Sequence, residues 1–77
     1  MKQDSDAITV EGVVSETLPG GTFRIKLSTE GFEGHGIVGK ISGKMRMHNI
    51  RIVPGDRVQV EMSEHNIEEG RIIYRFK

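Results

Sequence analysis

The sequence predicts an all-β protein, a small five-stranded barrel with one short helix between the third and fourth strands. Three observations carry that expectation. Apolar residues recur at every second position through most of the chain, as at Phe23, Ile25 and Leu27 or Val58, Val60 and Met62, the period of a strand with one face buried. Turn-forming residues interrupt the alternation at intervals of about ten residues, the spacing of short strands in a sandwich or barrel. One segment, 42–49, shows no alternation and is rich in residues that tolerate a helix.

The elements follow in order. Ile8, Val10, Gly12 and Val14 alternate with Thr9, Glu11 and Val13, giving a first strand over about 7–16. Leu18-Pro19-Gly20-Gly21 ends it, because proline presets φ and glycine accepts the positive φ of a tight turn. Phe23 to Leu27 is the second strand, with Arg24 and Lys26 outward. A polar loop over 28–34 follows, then a weaker third strand, His35 to Ile41, loosened by Gly36 and Gly39. Ser42 suits the N-cap of one or two helical turns reaching about Asn49, its hydroxyl oxygen accepting from a free amide of the first turn. Of Met45 and Met47, at most one should point outward on so short a helix, the other filling the core. Pro54-Gly55 is a turn and Val58–Met62 the fourth strand. Ser63 to Glu69 reads as a polar, acidic loop. The fifth strand, Arg71 to Phe76, puts Ile72, Tyr74 and Phe76 on one face and Arg71, Ile73, Arg75 and Lys77 on the other. Three strands, a helix and two strands is the order of an OB-fold, and closure into a barrel removes exposed strand edges.

Seventy-seven residues make one domain, here 8–77 behind an N-terminal tail expected to be mobile over 1–7. The opening MKQDSDAITV contains no apolar signal segment. No stretch approaches the roughly 18 apolar residues of a membrane span. Cysteine is absent, which excludes disulfides and thiolate metal sites and fits a reducing compartment. A soluble intracellular monomer without membrane attachment is expected.

The chain has 11 basic and 11 acidic side chains, yet they are segregated. From Gly34 to Gly55, 22 residues hold Lys40, Lys44, Arg46 and Arg51 and no acid. Gly70 to Lys77 adds Arg71, Arg75 and Lys77, again without an acid. These two stretches carry +7 and the remainder −7. Segregated charge makes a local field where the total makes none. That argues against a non-specific DNA coater and for a shaped contact with a polyanion, through counterion release and two-pronged arginine contacts to phosphate. The competing interpretation is a solvated polar face, the ordinary state of surface charge.

Catalysis finds little support. His35, His48 and His65 are spaced 13 and 17 residues apart, which matches no local metal-ligand pattern. No serine lies in a nucleophile elbow, and Gly39-Lys40-Ile41-Ser42-Gly43-Lys44 lacks the spacing of a phosphate loop. No enzyme activity, cofactor or metal is expected. Aromatic residues are few, namely Phe23, Phe32, Tyr74 and Phe76. With Phe23, Tyr74 and Phe76 at alternating apolar positions, most should be core. Only Phe32 sits in an evident loop, between acids. Stacking of single-stranded bases is therefore disfavoured against recognition of a folded RNA shape.

ISGKMRMHNIRIVPGDRVQVEM at 41–62, GRIIYRFK at 70–77 and VEGVVSETLPGGTFRIKL at 10–27 closely resemble bacterial translation initiation factor one, over about Ile8 to Lys77. The resemblance implies a non-catalytic OB-fold protein that binds the small ribosomal subunit at the decoding A site, contacting ribosomal RNA and a neighbouring ribosomal protein. It implies that initiator tRNA is kept out of that site and that the second and third initiation factors are assisted. The family's RNA-contacting motif falls on Ser42, Gly43, Lys44, Met45, Arg46, His48 and Arg51, with Lys40 assisting, and its basic end on Arg71, Arg75 and Lys77. Gly39 and Gly43 are expected to admit RNA close to the backbone or to allow the turn into the helix. The location implied is cytoplasmic, or the plastid stroma for a plastid gene. Departures from the family pattern are a longer loop after Leu27, Lys40 where histidine is frequent, Asn49 and His65 where tyrosine is frequent, and Glu69 where a cation is usual. The longer loop is expected to be a solvent-exposed hairpin tip that makes no contact with the subunit. The alternatives are a general RNA-binding or RNA-chaperone barrel and, further off, a protein-interaction module.

Overall fold

The computed structural model describes residues 7–48 and 50–76. Five strands and one helix follow in the order β1 (Ala7–Leu18), β2 (Thr22–Leu27), β3 (Gly36–Ile41), α1 (Gly43–Met47), β4 (Arg57–Ser63) and β5 (Asn66–Arg75). The strands close into a barrel in the order β1-β2-β3-β5-β4. The long β1 makes closure possible. Its first half pairs with β4 (Val10 opposite Val60) and its second half with β2 (Val14 opposite Ile25), both antiparallel. The β3–β5 pair is parallel, so a crossover is needed between them, and α1 lies within it.

The alternating positions named above form the interior. Val10, Val14, Ile25, Leu27, Ile37, Val58, Val60, Met62 and Ile72 are buried, and Phe23, Met45 and Ile52 seal the end beneath the helix. The barrel is narrow enough that three strand positions, Gly12, Gly39 and Gly70, admit no side chain. A Cβ on Gly39 would stand 2.6 Å from Ile25 Cδ1, and one on Gly70 would stand 2.5 Å from Val60 Cγ1. The absent side chain of Gly39 thus makes room for the core.

Several boundaries and faces differ from expectation. The polar span 63–69 is mostly strand: β5 begins at Asn66, and only Glu64 and His65 turn. Its backbone groups pair in a ladder, which polar side chains do not prevent. Ala7, expected in the tail, opens β1; the rest of the expected tail, residues 1–6, lies outside the described residues. The largest difference is in β5. Val60 pairs with Ile72 but Gln59 with Tyr74, so Ile73 is an extra residue, a β-bulge. The bulge reverses the faces beyond it. Ile72 is wholly buried, while Tyr74 stands outside at 53% exposure. Its ring meets Phe76 edge to face at 5.1 Å, and the Arg57 guanidinium lies 5.0 Å from the Phe76 ring centre. Neither ring is in the interior cluster, so two of the three aromatics assigned to the core are outside it.

The 28–34 loop is the largely exposed tip of the β2–β3 hairpin, as expected, but it is fastened to β1. The Thr29 hydroxyl accepts from the Glu11 N–H at 2.6 Å, and Ser28 N–H donates to the Glu11 carbonyl at 2.8 Å. Phe32 packs half-buried against the core. The loop closes the barrel at the end opposite α1.

Candidate nucleic-acid interface

The interface is built from the β3–α1 connection upward. Ser42 N–H donates to the Ile72 carbonyl at 3.0 Å, extending the parallel β3–β5 pairing by one bond. With extended φ and ψ of −65° and 159°, Ser42 then caps the helix, its Oγ accepting from Met45 N at 3.2 Å. That cap settles which side of the single turn faces in. Met45 is 3% exposed and enters the core, and Met47 is 83% exposed, as the one-in, one-out expectation requires. Two residues of the expected contact set have side chains turned away from the surface. The Met45 side chain belongs to the core, and the Ser42 hydroxyl is occupied by the cap and buried. Gly43 is open: a Cβ there would meet nothing within 4 Å.

Lys40, Lys44, Arg46, His48 and Arg51 are all exposed. Lys40 sits directly beside Arg71 across the β3–β5 pair. Arg46 and Arg51 flank an open groove of about 500 Å³ with an apolar floor of Phe23, Ile41, Ile50 and Ile52. None of these floor residues was singled out from sequence as part of a contact. They come from β2, β3 and the segment before β4, and no local spacing joins them.

Tertiary pairing divides the cations into two groups. Among the described residues, Lys40, Lys44, Arg46 and Arg51 enter no ion pair, whereas Arg71 Nη2 lies 3.3 Å from Glu61 and Arg75 Nε lies 3.0 Å from Asp56. The acid-free run at the chain end is thus supplied with acids by the neighbouring β4 strand and the turn before it. Both members of the Arg71 pair are well exposed, at 62% and 38%. Such pairs contribute little, and a phosphate can replace the carboxylate. Arg75 is held more firmly. Its register position opposite Val58 puts it on the inward side of the strand, beyond the bulge that separates its face from that of Arg71. Asp56 Oδ2 accepts from Val53 N–H at 3.0 Å and from Arg75. The Val53 hydrogen bond holds the Asp56 carboxyl below its ordinary value of 3.8, helped by Arg75 and opposed by partial burial. Arg75 therefore ties the end of β5 to the Val53–Asp56 turn, where Gly55 supplies the positive φ of 98°. Lys77 lies outside the described residues.

A second hollow, about 370 Å³, opens by the β4–β5 hairpin, with Glu61, Glu69, Asn66 and Arg71 in its walls. Two carboxylates make it unsuited to phosphate. Among the described residues, no three His, Asp or Glu side chains gather into a group that could hold a metal.

A closed five-stranded barrel with a capped helical turn, ringed by unpaired cations, defines an OB-fold protein built to meet nucleic acid. The family model described as translation initiation factor 1A / IF-1 matches residues 1–77, and the chain belongs to that family. The solution structure of translation initiation factor one from the Wolbachia endosymbiont strain TRS of Brugia malayi is similar at 46% identity and a TM-score of 0.72, over 94% of this chain and 80% of that one. The crystal structure of YjeQ from Thermotoga maritima is similar at a TM-score of 0.69 over 91% of this chain and 23% of that one. At 24% identity that likeness shows the barrel alone. As a family member the chain is a translation initiation factor, an RNA-binding OB-fold protein and not an enzyme. The family implies association with the small ribosomal subunit, in the cytoplasm or an organelle.

Proposed function

We propose that the chain acts as a monomer that binds the small ribosomal subunit at the decoding A site through ribosomal RNA, with a neighbouring ribosomal protein at its margin. In that place it keeps initiator tRNA out of the A site and promotes binding of the second and third initiation factors. The observation that carries this reading is the set of unpaired cations Lys40, Lys44, Arg46 and Arg51 around α1 and its groove. The four meet phosphates without first giving up a carboxylate. The groove's apolar floor and guanidinium walls suit a base drawn out of its stack, with its phosphates on Arg46 and Arg51. Arg71 joins them by exchanging Glu61 for phosphate, and His48 adds a donor at the rim.

The test is equilibrium binding to purified small subunits against salt, with an unstructured RNA of similar charge as competitor. Neutralising about four to six phosphates predicts an affinity that falls roughly 10²–10³-fold between 50 and 200 mM salt. Binding that the competitor does not displace supports the A-site reading. The exposed Tyr74 ring favours one other reading, a general RNA barrel that stacks single-stranded bases. Equal binding of the competitor would select it.

A further inference from the structure

Met47 is the most exposed large apolar side chain among the described residues, at 83%. Its position is specific. Met45, two residues earlier, is wholly committed to the core, so the helical turn has already filled the space beneath it. Lys44 precedes Met47 by three residues and His48 follows Lys44 by four, spacings that put all three on one outward side of the turn. Arg46 stands next to it and opens onto the groove it shares with Arg51. The apolar side chain therefore stands between Lys44 and Arg46, neither of which makes an ion pair among the described residues. A thioether has nothing to offer a phosphate and gains nothing from water.

We propose that Met47 is an apolar contact of the RNA interface, seated against ribose and base surface of a folded RNA once the flanking cations have engaged its phosphates. The inference rests on the RNA reading above. Two properties suit the residue to this role. Its unbranched, polarisable chain adapts to an irregular surface. A-form RNA also presents a wide, shallow minor groove of sugars and base edges that a short apolar side chain can cover. The cations supply salt-dependent affinity without regard to shape. Met47 supplies contact area that forms only when the RNA surface fits between them, so it contributes to shape selectivity.

The two kinds of contact differ in their response to salt, and the experiment uses that difference. Affinity for purified small subunits is measured against salt for the wild-type protein, Met47→Ala, Met47→Leu and Lys44→Ala. Met47→Ala should weaken binding about 5- to 30-fold, the range for losing most of one buried apolar side chain, with the salt slope unchanged. Met47→Leu should retain most of the affinity. Lys44→Ala should weaken binding and flatten the slope by about 0.7–0.9. A benzophenone photocrosslinker at position 47 should join to RNA. Wild-type affinity in Met47→Ala, a flattened slope in that variant, or crosslinks to ribosomal protein alone would overturn the contact while leaving the RNA reading standing. Wild-type protein that binds no subunit would overturn both.

Discussion

Ile72 and Tyr74 are two residues apart on β5 and lie on opposite sides of the barrel wall. Ile72 is fully buried opposite Val60, and Tyr74 is 53% exposed opposite Gln59. The extra residue between them, Ile73, shifts the register and turns Tyr74 and Arg75 over. Stability should follow this division. Ile72→Val, which removes one interior methylene, should cost about 0.5–1.5 kcal/mol. Tyr74→Phe, which removes only a solvated hydroxyl, should stay within about 0.5 kcal/mol of wild type. Urea denaturation of both variants checks the pair, and a larger loss for Tyr74→Phe would contradict the bulge.

The bulge also gives Arg71 and Arg75 different work. Arg71→Ala should weaken subunit binding and leave folding almost untouched, because its pair with Glu61 is exposed. Arg75→Ala should act mainly on stability, costing about 1–2 kcal/mol through the loss of the Asp56 bond. Arg46→Ala, with no acid partner to release, should cost about 1–3 kcal/mol of binding. Measuring melting and subunit affinity on all three variants separates the roles, and equal effects of Arg71→Ala and Arg75→Ala on affinity would undo the distinction.

Asp56 should make the fold acid-sensitive. Its carboxyl sits below the ordinary 3.8 in the folded chain, first because Val53 N–H donates to it. A group depressed on folding stabilises the native state above its unfolded pKa, and the contribution is lost as pH falls through the folded value. Asp56→Asn should therefore be less stable than wild type by about 1–2 kcal/mol at pH 7, with the gap beginning to close at about pH 4 and vanishing only once pH falls below the depressed folded value. Thermal melts across pH 2.5–7 test this. A gap that does not narrow toward the acid end would mean that the carboxylate charge is not what the turn uses.

Phe32 should matter to folding more than to binding. It is half-buried against the core at the barrel end opposite α1, in a loop fastened to Glu11. Phe32→Ala should destabilise by about 1–2 kcal/mol, less than the ~3–5 of a fully buried phenylalanine, and should leave the affinity of folded protein for subunits within about threefold. A larger change in affinity at equal folded fraction would place the loop in the interface.

Much of this was legible in the chain. Alternation at Val10, Val14, Ile25, Leu27, Val58, Val60 and Met62 marks the interior, and every one of these is buried. The element order, the Ser42 cap and the inward turn of one methionine followed from local chemistry. The free cations of the helical segment stood in the longest acid-free run. Each of these depends on residues within a few positions of one another, where covalent spacing sets geometry directly.

The barrel, its core and the cationic helical turn are thus written in the order of residues along the chain. Folding settles the rest: which cations are free, which aromatics face out and what lies between Arg46 and Arg51. Glu61 and Asp56 reach Arg71 and Arg75 only because β4 and the turn before it are laid beside β5. Tyr74 faces out because a neighbouring strand has one residue fewer. The groove floor gathers Phe23, Ile41, Ile50 and Ile52 from three segments. Ion pairing, strand register and concave surfaces depend on distances across the fold, and linear spacing does not encode those distances.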